Sequence, residues 1–190
     1  MPFYVIEHLE KELYDWSFIE YKHISKIVGK KNLIFSNVSK GKNKLFEFGK
    51  VFRKSVRNFD LDLKKVCVLD PEAVSELKPK EAKNFSYFIF GGILGDNPPR
   101  KRTQEELTPF LKGSVVRNIG QKQMSTDNAV YVVKEIFNGK RISDIKFFDC
   151  ATIKINDILE TELPYNYVEI KGKPFMSKEL IRLIKKKDSM

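Results

Sequence analysis

Residues 86–103 read SYFIFGGILGDNPPRKRT, and this stretch indicates the class of fold directly. The run from Ser86 to Phe90 is rich in aromatic and β-branched residues and predicts a buried strand. Three glycines in the next five positions let the backbone turn sharply and approach a ligand, and the proline pair stiffens the end of the loop. The same glycines are also compatible with an ordinary tight turn.

Similar apolar runs recur along the 190 residues, and helical patterns separate them. The other predicted strands are Phe3 to Ile6, Leu33 to Ser36, Lys65 to Leu69, Ser114 to Arg117, Ile145 to Phe148 and Tyr165 to Ile170. The predicted helices are Trp16 to Val28, Lys44 to Phe59, Asp127 to Asn138 and, as an amphipathic tail, Glu179 to Lys187. This alternation predicts an α/β fold in which helices flank a mostly parallel sheet, and the length fits one domain over residues 1–190.

The cysteines and histidines are few, at two of each. Such numbers favour neither a disulfide framework nor a zinc site, and no metal ligands are assigned. Cys67 and Cys150 lie in apolar runs and are expected to fill space in strands. His23 lies on the apolar face of the first helix, so we expect a packed histidine rather than a ligand.

A second polar loop, RNIGQKQMSTDNA at residues 117–129, lies between a predicted strand and a predicted helix. Ser125, Thr126 and Asp127 are good helix N-cap residues, and a helix start offers free backbone N–H groups. Capping does not explain Gln123 and Met124. Ligands of parallel α/β folds bind at the carboxyl ends of the strands, where both loops are expected. The chain has neither a P-loop nor a Gly-x-Gly-x-x-Gly motif, which disfavours both of those nucleotide-binding classes.

The net charge of +10 is concentrated in one part of the chain. The basic segment, Lys22 to Arg57, contains eleven lysines and arginines and one acid, Glu47, so it carries the whole excess. The N-terminal residues before it are acidic. A positive segment of this kind is typical of an anionic partner such as RNA. A solvated, lysine-rich surface is the alternative.

The apolar runs are all shorter than the roughly 18 to 20 residues that cross a bilayer. The first twelve residues contain three glutamates, where a signal peptide would be basic. We therefore expect a soluble, cytoplasmic protein without a membrane partner.

The segments FGGILGDNPPRKRT and RNIGQKQMSTDNAV closely resemble the signature of a family of SPOUT-class methyltransferases that archaea and eukaryotes share. YVIEHLE, FFDCATIKIN and LPYNYVEIKGKP resemble further segments of that family, so the resemblance extends from about Phe3 to Asp188. The characterised yeast member methylates an arginine of a small-subunit ribosomal protein. The resemblance implies a methyltransferase that uses S-adenosylmethionine, a C-terminal trefoil knot and a homodimer formed through the knot.

The resemblance also implies which residues hold the cofactor. They are Gly91, Gly92, Ile93, Leu94, Gly95, Asn118, Ile119, Gly120, Gln123, Met124 and Thr126. The sequence departs from the family at Asn97, where relatives commonly have His, and at Lys101, where they commonly have an acid. Asn97 puts any proton-handling role of that position in doubt, so no catalytic role is assigned to Asn97.

Methyl transfer from a sulfonium is an in-line displacement that needs no metal, so substrates differ in how the nucleophile is prepared. Carboxylates bind a guanidinium bidentately and can accept its proton, whereas lysines and arginines would bring in an RNA phosphate. The candidate catalytic residues are Glu7, Asp96, Arg100 and Arg102, with Glu10 and Arg117 nearby. Each has an alternative: Glu7 caps the next helix, Asp96 stabilises its turn, Arg100 and Arg102 pair with acids, and Arg117 lies on the surface.

The leading prediction is a protein arginine N-methyltransferase that acts on a ribosomal protein, with the basic segment bound to ribosomal RNA. The alternative is a SPOUT-class methyltransferase of rRNA or tRNA. A third hypothesis is an adapter that binds the ribosome and has lost catalysis.

Overall fold

The computed structural model describes residues 1–95, 98, 100–156 and 159–187. A six-stranded sheet lies at its centre, in the order β3-β2-β1-β5-β4-β6, and every strand pair is parallel. The strands are β1 (Phe3–His8), β2 (Leu33–Ser36), β3 (Lys50–Val51), β4 (Val66–Leu69), β5 (Tyr87–Gly92) and β6 (Val115–Arg117). The predicted α/β class is confirmed; the knot stays a prediction.

Two longer helices cover one face of this sheet: α1 (Asp15–Val28) and α4 (Thr126–Phe137). Side chains of β1 alternate between the two faces of the sheet. Tyr4 and Ile6 pack in the cluster that includes α1 and α4, whereas Val5 packs on the opposite face. Gly139, with φ of 110°, follows α4, since glycine adopts this conformation without strain. The short helices are α2 (Pro79–Ala82) and α3 (Arg102–Glu106).

The C-terminal part adds small antiparallel elements. The predicted strand from Tyr165 to Ile170 is confirmed among them, whereas the antiparallel pairing and the hairpin at 151–163 were not predicted. Strands β8 (Ala151–Lys154) and β9 (Glu160–Leu163) pair with each other, and β10 (Tyr167–Ile170) pairs with β7 (Phe147–Phe148) and β11 (Lys173–Pro174). Helix α5 (Lys178–Lys187) confirms the predicted tail helix, and its Leu180 packs against the β8–β9 hairpin. The predicted strand at Ile145 therefore forms only in its second half and lies outside the parallel sheet.

The predicted helix from Lys44 to Phe59 is wrong. Two short 3-10 helices, Lys42–Leu45 and Val56–Asn58, flank strand β3 in this segment. The backbone at Gly49 passes so close to β2 that a Cβ there would lie 2.8 Å from the Leu33 carbonyl oxygen. The apolar residues that recur at helical spacing in this segment therefore lie in separate turns beside β2.

The two cysteines differ in their environment. Cys67 is buried in β4, as predicted, and burial raises the pKa of its thiol to about 12. Cys150 is exposed and lies outside any strand, so that prediction is wrong. His23 is packed as expected: its ring lies against Phe175, and Nδ1 is 2.7 Å from Asp127 Oδ2. In the described part of the chain, no helix is long and apolar enough to cross a membrane.

Candidate functional site

A cleft of about 200 Å³ opens at the carboxyl edge of the parallel sheet. This first cleft lies where β4 and β5 end and where the loop before α4 begins. Both polar loops that the sequence singled out contribute to it. The shared edge brings together segments that are distant along the chain, as expected for a parallel sheet.

Most of the predicted cofactor residues line the first cleft. They are Gly91, Ile93, Gly95, Ile119, Gly120, Gln123, Met124 and Thr126. Gly120 has φ of 102°, so its position at the turn favours glycine. The other three predicted residues, Gly92, Leu94 and Asn118, do not line it as far as the structure describes its walls.

Asn118 shapes the wall of the first cleft from behind. Its side-chain nitrogen donates to the Ala73 carbonyl oxygen at 2.8 Å, and its side-chain oxygen accepts from the Gly120 N–H at 3.1 Å. These two bonds hold the segment after β4 against the loop before α4. Asn118 is therefore a positioning residue for the cleft walls.

Gly92 faces the interior of the protein. A Cβ at this position would lie 2.2 Å from the Tyr21 hydroxyl oxygen and 2.9 Å from Ile6 Cγ2. The Tyr21 hydroxyl in turn bonds His8 Nδ1 at 2.9 Å. A side chain at position 92 would thus enter the core between β1 and α1, and would not enter the path of a ligand in the first cleft.

Gly92→Ala is expected to lower the free energy of unfolding by roughly 1–3 kcal/mol, because the added methyl group overpacks the core. Thermal and urea unfolding measure this loss. Cofactor affinity of the fraction that remains folded should stay close to wild type. A variant with wild-type stability but no cofactor binding would contradict this placement of Gly92.

A second cleft, of about 360 Å³, adjoins the first. Four residues line both: Ile93, Gly95, Gln123 and Met124. The remaining walls of the second cleft come largely from the start of α1. They are Tyr14, Asp15, Trp16, Glu20, Leu94, Ser125 and Tyr165.

Glu20 is the buried acid of the second cleft, with 5% of its surface exposed. Trp16 Nε1 donates to Glu20 Oε1 at 2.7 Å. Burial, with the negative charge of Asp127 as a further cause, raises the pKa of Glu20 to about 8, although the bonds from Trp16 and Thr126 act in the opposite direction. This carboxyl group can therefore exchange a proton near neutral pH.

Arg102 and Glu10 together hold the glycine-rich loop at residues 91–95, which contributes to both clefts. The Arg102 guanidinium donates to Glu10 Oε1 at 2.6 Å, to Glu106 Oε1 at 2.7 Å and to the Leu9 carbonyl oxygen at 3.1 Å. Glu10 Oε1 also accepts from the Leu94 N–H at 2.9 Å. These carboxylates raise the pKa of Arg102 further above its ordinary value. The alternative reading of Arg102, as the partner of nearby acids, is confirmed.

Glu7 lies at the end of β1 but is fully buried away from both clefts. Its carboxylate accepts from the Ser36 hydroxyl at 2.5 Å, the Ser55 hydroxyl at 2.5 Å and the Val56 N–H at 2.9 Å. It therefore joins β1 to β2 and to the segment that follows β3. All of these contacts indicate a structural role, and the helix cap considered for Glu7 is not among them.

The other sequence candidates have different placements. Arg100 lines the first cleft. Arg117 is half-buried and forms a bidentate pair with Glu81, with nitrogen–oxygen distances of 2.9 and 3.0 Å. Asp96 lies outside the described residues, as does Asn97.

Sequence reasoning missed two groups of site residues. Asp70, Pro71 and Glu72 line the first cleft immediately after β4, and the position of Asp70 after a predicted strand was an available signal. Trp16 and Glu20 line the second cleft. An acid four residues after Trp16 interrupts the apolar face of α1, and such an interruption of a pattern is often functional. No cluster of three potential metal ligands occurs among the residues that the structure describes.

Residues 3–190 match the model of a family described as protein arginine N-methyltransferase SFM1-like. The protein arginine N-methyltransferase SFM1 of Saccharomyces cerevisiae is 36% identical over 200 residues, which cover 96% of this chain and 94% of the relative. The crystal structure of the yeast arginine methyltransferase SFM1 complexed with SAM has a TM-score of 0.90 at 36% identity, covering 100% of this chain and 92% of that one.

A solved structure of Trm10 from Thermococcus kodakaraensis is more distant. Its TM-score is 0.57 at 18% identity, and the match covers 76% of this chain and 96% of that chain. At this level the similarity concerns the fold alone.

Proposed function

The chain belongs to the SFM1-like family of protein arginine N-methyltransferases, and we propose that it methylates an arginine of a ribosomal protein with S-adenosylmethionine as donor. The observation that carries this proposal is the second cleft, which adjoins the first and is acidic. Its described walls contain Asp15 and Glu20 and no lysine or arginine. The negative charge of Asp15 attracts a guanidinium and repels a phosphate, and a guanidinium bound beside Glu20 favours the ionised form of its carboxyl group.

The first cleft suits S-adenosylmethionine. Gly91 and Gly95 line it where side chains would intrude: a Cβ at Gly91 would lie 2.8 Å from Ile93 Cδ1, and one at Gly95 would lie 2.0 Å from Gln123 Nε2. Gln123 Nε2 is buried without a hydrogen-bond partner among the described residues, so it has a donor to offer. Ile119 and Met124 supply apolar surface.

The basic segment is separate from this chemistry. All of residues 22–57 are described, and none of them lines either cleft. Eight of its eleven basic residues are exposed. Phe46 and Phe52 lie between these basic residues in sequence and are 54% and 41% exposed. Cations interleaved with exposed aromatic rings are typical of surfaces that bind single-stranded RNA. We propose that this segment binds ribosomal RNA while the acidic cleft receives the arginine.

Incubation with labelled S-adenosylmethionine and ribosomal fractions tests the function. We expect the label in a ribosomal protein, on arginine after hydrolysis, and resistant to RNase. Label found only in RNA would replace the proposal by the RNA methyltransferase alternative. Absence of both labelling and S-adenosylmethionine binding would favour the ribosome-binding adapter.

The contribution of the basic segment is tested by salt. We expect the triple variant Lys40→Gln, Lys44→Gln, Lys54→Gln to bind ribosomal particles more weakly, with a slope of log K against log salt that is less steep by about 2. The matched control neutralises Lys146, Lys171 and Lys173, which are exposed elsewhere. An equal effect of both triple variants would contradict a specific role for the segment.

Two expectations from the sequence belong to this proposal. Action on ribosomal proteins suits a cytoplasmic location, which fractionation of cells would test. The homodimer stays a prediction, and sedimentation of the purified protein would test it.

A further inference from the structure

Glu20 is a buried carboxylic acid of the second cleft, and it forms no ion pair with a lysine or arginine that the structure describes. Glu20 is held by Trp16 Nε1, and it lines the cleft beside Met124 and Ser125. A buried carboxyl group without a cationic partner is costly to ionise in a protein interior. Its retention at the wall of a cleft calls for a ligand that is itself a cation.

Two further polar side chains lie near Glu20. Tyr167 is fully buried and lies outside both described linings, close enough to Glu20 and Asp127 for both charges to raise its pKa, after burial itself, while a hydrogen bond with Ser125 acts in the opposite direction. Gln123 Nε2, which is buried without a partner in the described part of the chain, belongs to a residue that lines both clefts. Buried polar groups are normally paired, so Gln123 Nε2 marks a place that a bound molecule completes.

We propose that Glu20 is the catalytic carboxylate, which binds the substrate guanidinium in the second cleft and accepts its proton during methyl transfer. This inference rests on the proposed function and assigns its chemistry to one residue. Trp16 and Tyr165 provide aromatic surface in the same cleft, on which a planar guanidinium can stack. Asp15, exposed at the mouth, adds a second negative charge.

The transfer balances with Glu20 as the acceptor. When bound, S-adenosylmethionine supplies the methyl group: the S–CH₃ bond breaks as the N–CH₃ bond forms, and the sulfonium becomes a neutral thioether. The methylated guanidinium keeps its single positive charge by losing one proton from the attacking nitrogen. Glu20 enters the reaction as a carboxylate beside that nitrogen and leaves it as a carboxylic acid.

The titratable groups around Glu20 determine the pH at which its carboxyl group ionises. The acidic groups near it are Asp127 on α4, Tyr167 on β10, and Asp15 and Tyr21 on its own helix. His23 is paired with Asp127. Burial and Asp127 raise the pKa of Glu20 to about 8 in the free protein. A guanidinium bound beside it stabilises the carboxylate and lowers that pKa. Binding of the cation is therefore expected to release a proton near neutral pH.

Calorimetry with ethylguanidinium tests this without turnover. At about pH 7, in two buffers of different ionisation enthalpy, wild type should release a proton on binding, and Glu20→Gln should bind weakly without proton release. Glu12→Gln removes an exposed acid that lies outside both described linings, so it should behave as wild type. Equal proton release by wild type and Glu20→Gln would overturn the proposal.

Kinetics provide the second measurement. A general base contributes about 10²–10⁴-fold, so kcat of Glu20→Gln should fall at least about 100-fold, while S-adenosylmethionine affinity stays near wild type. Glu20→Asp should recover part of the activity, and the rise of kcat/KM with pH should disappear in the Gln variant. A Gln variant with wild-type kcat would overturn the role of Glu20. A wild type that methylates no arginine would overturn the proposed function instead.

Discussion

Raising the pH from about 5 to about 9 is expected to reduce the unfolding free energy of the protein, through Glu20 alone, by on the order of 4 kcal/mol. The folded protein holds the proton of Glu20 up to a pKa of about 8, whereas the unfolded chain releases it near the ordinary value of 4.5. Between these two values the folded state binds more protons than the unfolded state. Stability is therefore greatest below the unfolded pKa and falls as pH rises through the folded one.

Urea unfolding of wild type and Glu20→Gln over this range measures the effect. The Gln variant cannot ionise, so its stability relative to wild type should increase steadily with pH. The Glu12→Gln control should follow wild type, because it keeps Glu20. Parallel pH dependences of wild type and Glu20→Gln would show that Glu20 titrates normally.

Gly95→Val is expected to weaken S-adenosylmethionine binding about 100-fold while leaving the fold intact. A Cβ at Gly95 would lie 2.0 Å from Gln123 Nε2 and 2.8 Å from Tyr165 Cε1. Gln123 lines both clefts, so a side chain at position 95 would displace a wall of the first cleft. Overpacking costs roughly 1–3 kcal/mol, and about 1.4 kcal/mol corresponds to tenfold in affinity.

Gly92 provides the matched comparison for Gly95. The two glycines are three residues apart, yet Gly92 is buried and Gly95 is exposed. We expect Gly92→Ala to lower the melting temperature and Gly95→Val to lower cofactor affinity, as measured by thermal unfolding and by calorimetry. A Gly95→Val protein that binds S-adenosylmethionine with wild-type affinity would contradict the assignment of the first cleft.

The parallel sheet could be predicted from the sequence because its strands are short apolar runs separated by helical patterns. Val66 to Leu69 is one example: every residue in it is buried, as in a strand covered on both faces. The β8–β9 hairpin was missed although Ala151 to Lys154 alternates between buried and exposed residues. Two- and four-residue strands depend mainly on distant partners, so a local pattern identifies them poorly.

The first cleft was largely predictable and the second was not. Glycines beside a strand indicate a close approach of backbone to ligand, and that signal is local. The burial of Glu7 depends on Ser36 and Ser55, which are far away in sequence, so its position at a strand end misled the prediction. Glu20 is hard to predict because it lies among the apolar residues of α1, a pattern that is typical of a core face.

The wall that the two clefts share has a kinetic consequence. Gly95, Gln123 and Met124 line both clefts, so a molecule in the first cleft fixes the shape of the second. Binding is therefore expected to follow a compulsory order, with the methyl donor entering first and the demethylated product leaving last. In steady-state experiments that product should compete with the donor and inhibit noncompetitively against the arginine substrate, and its slow departure would then limit turnover.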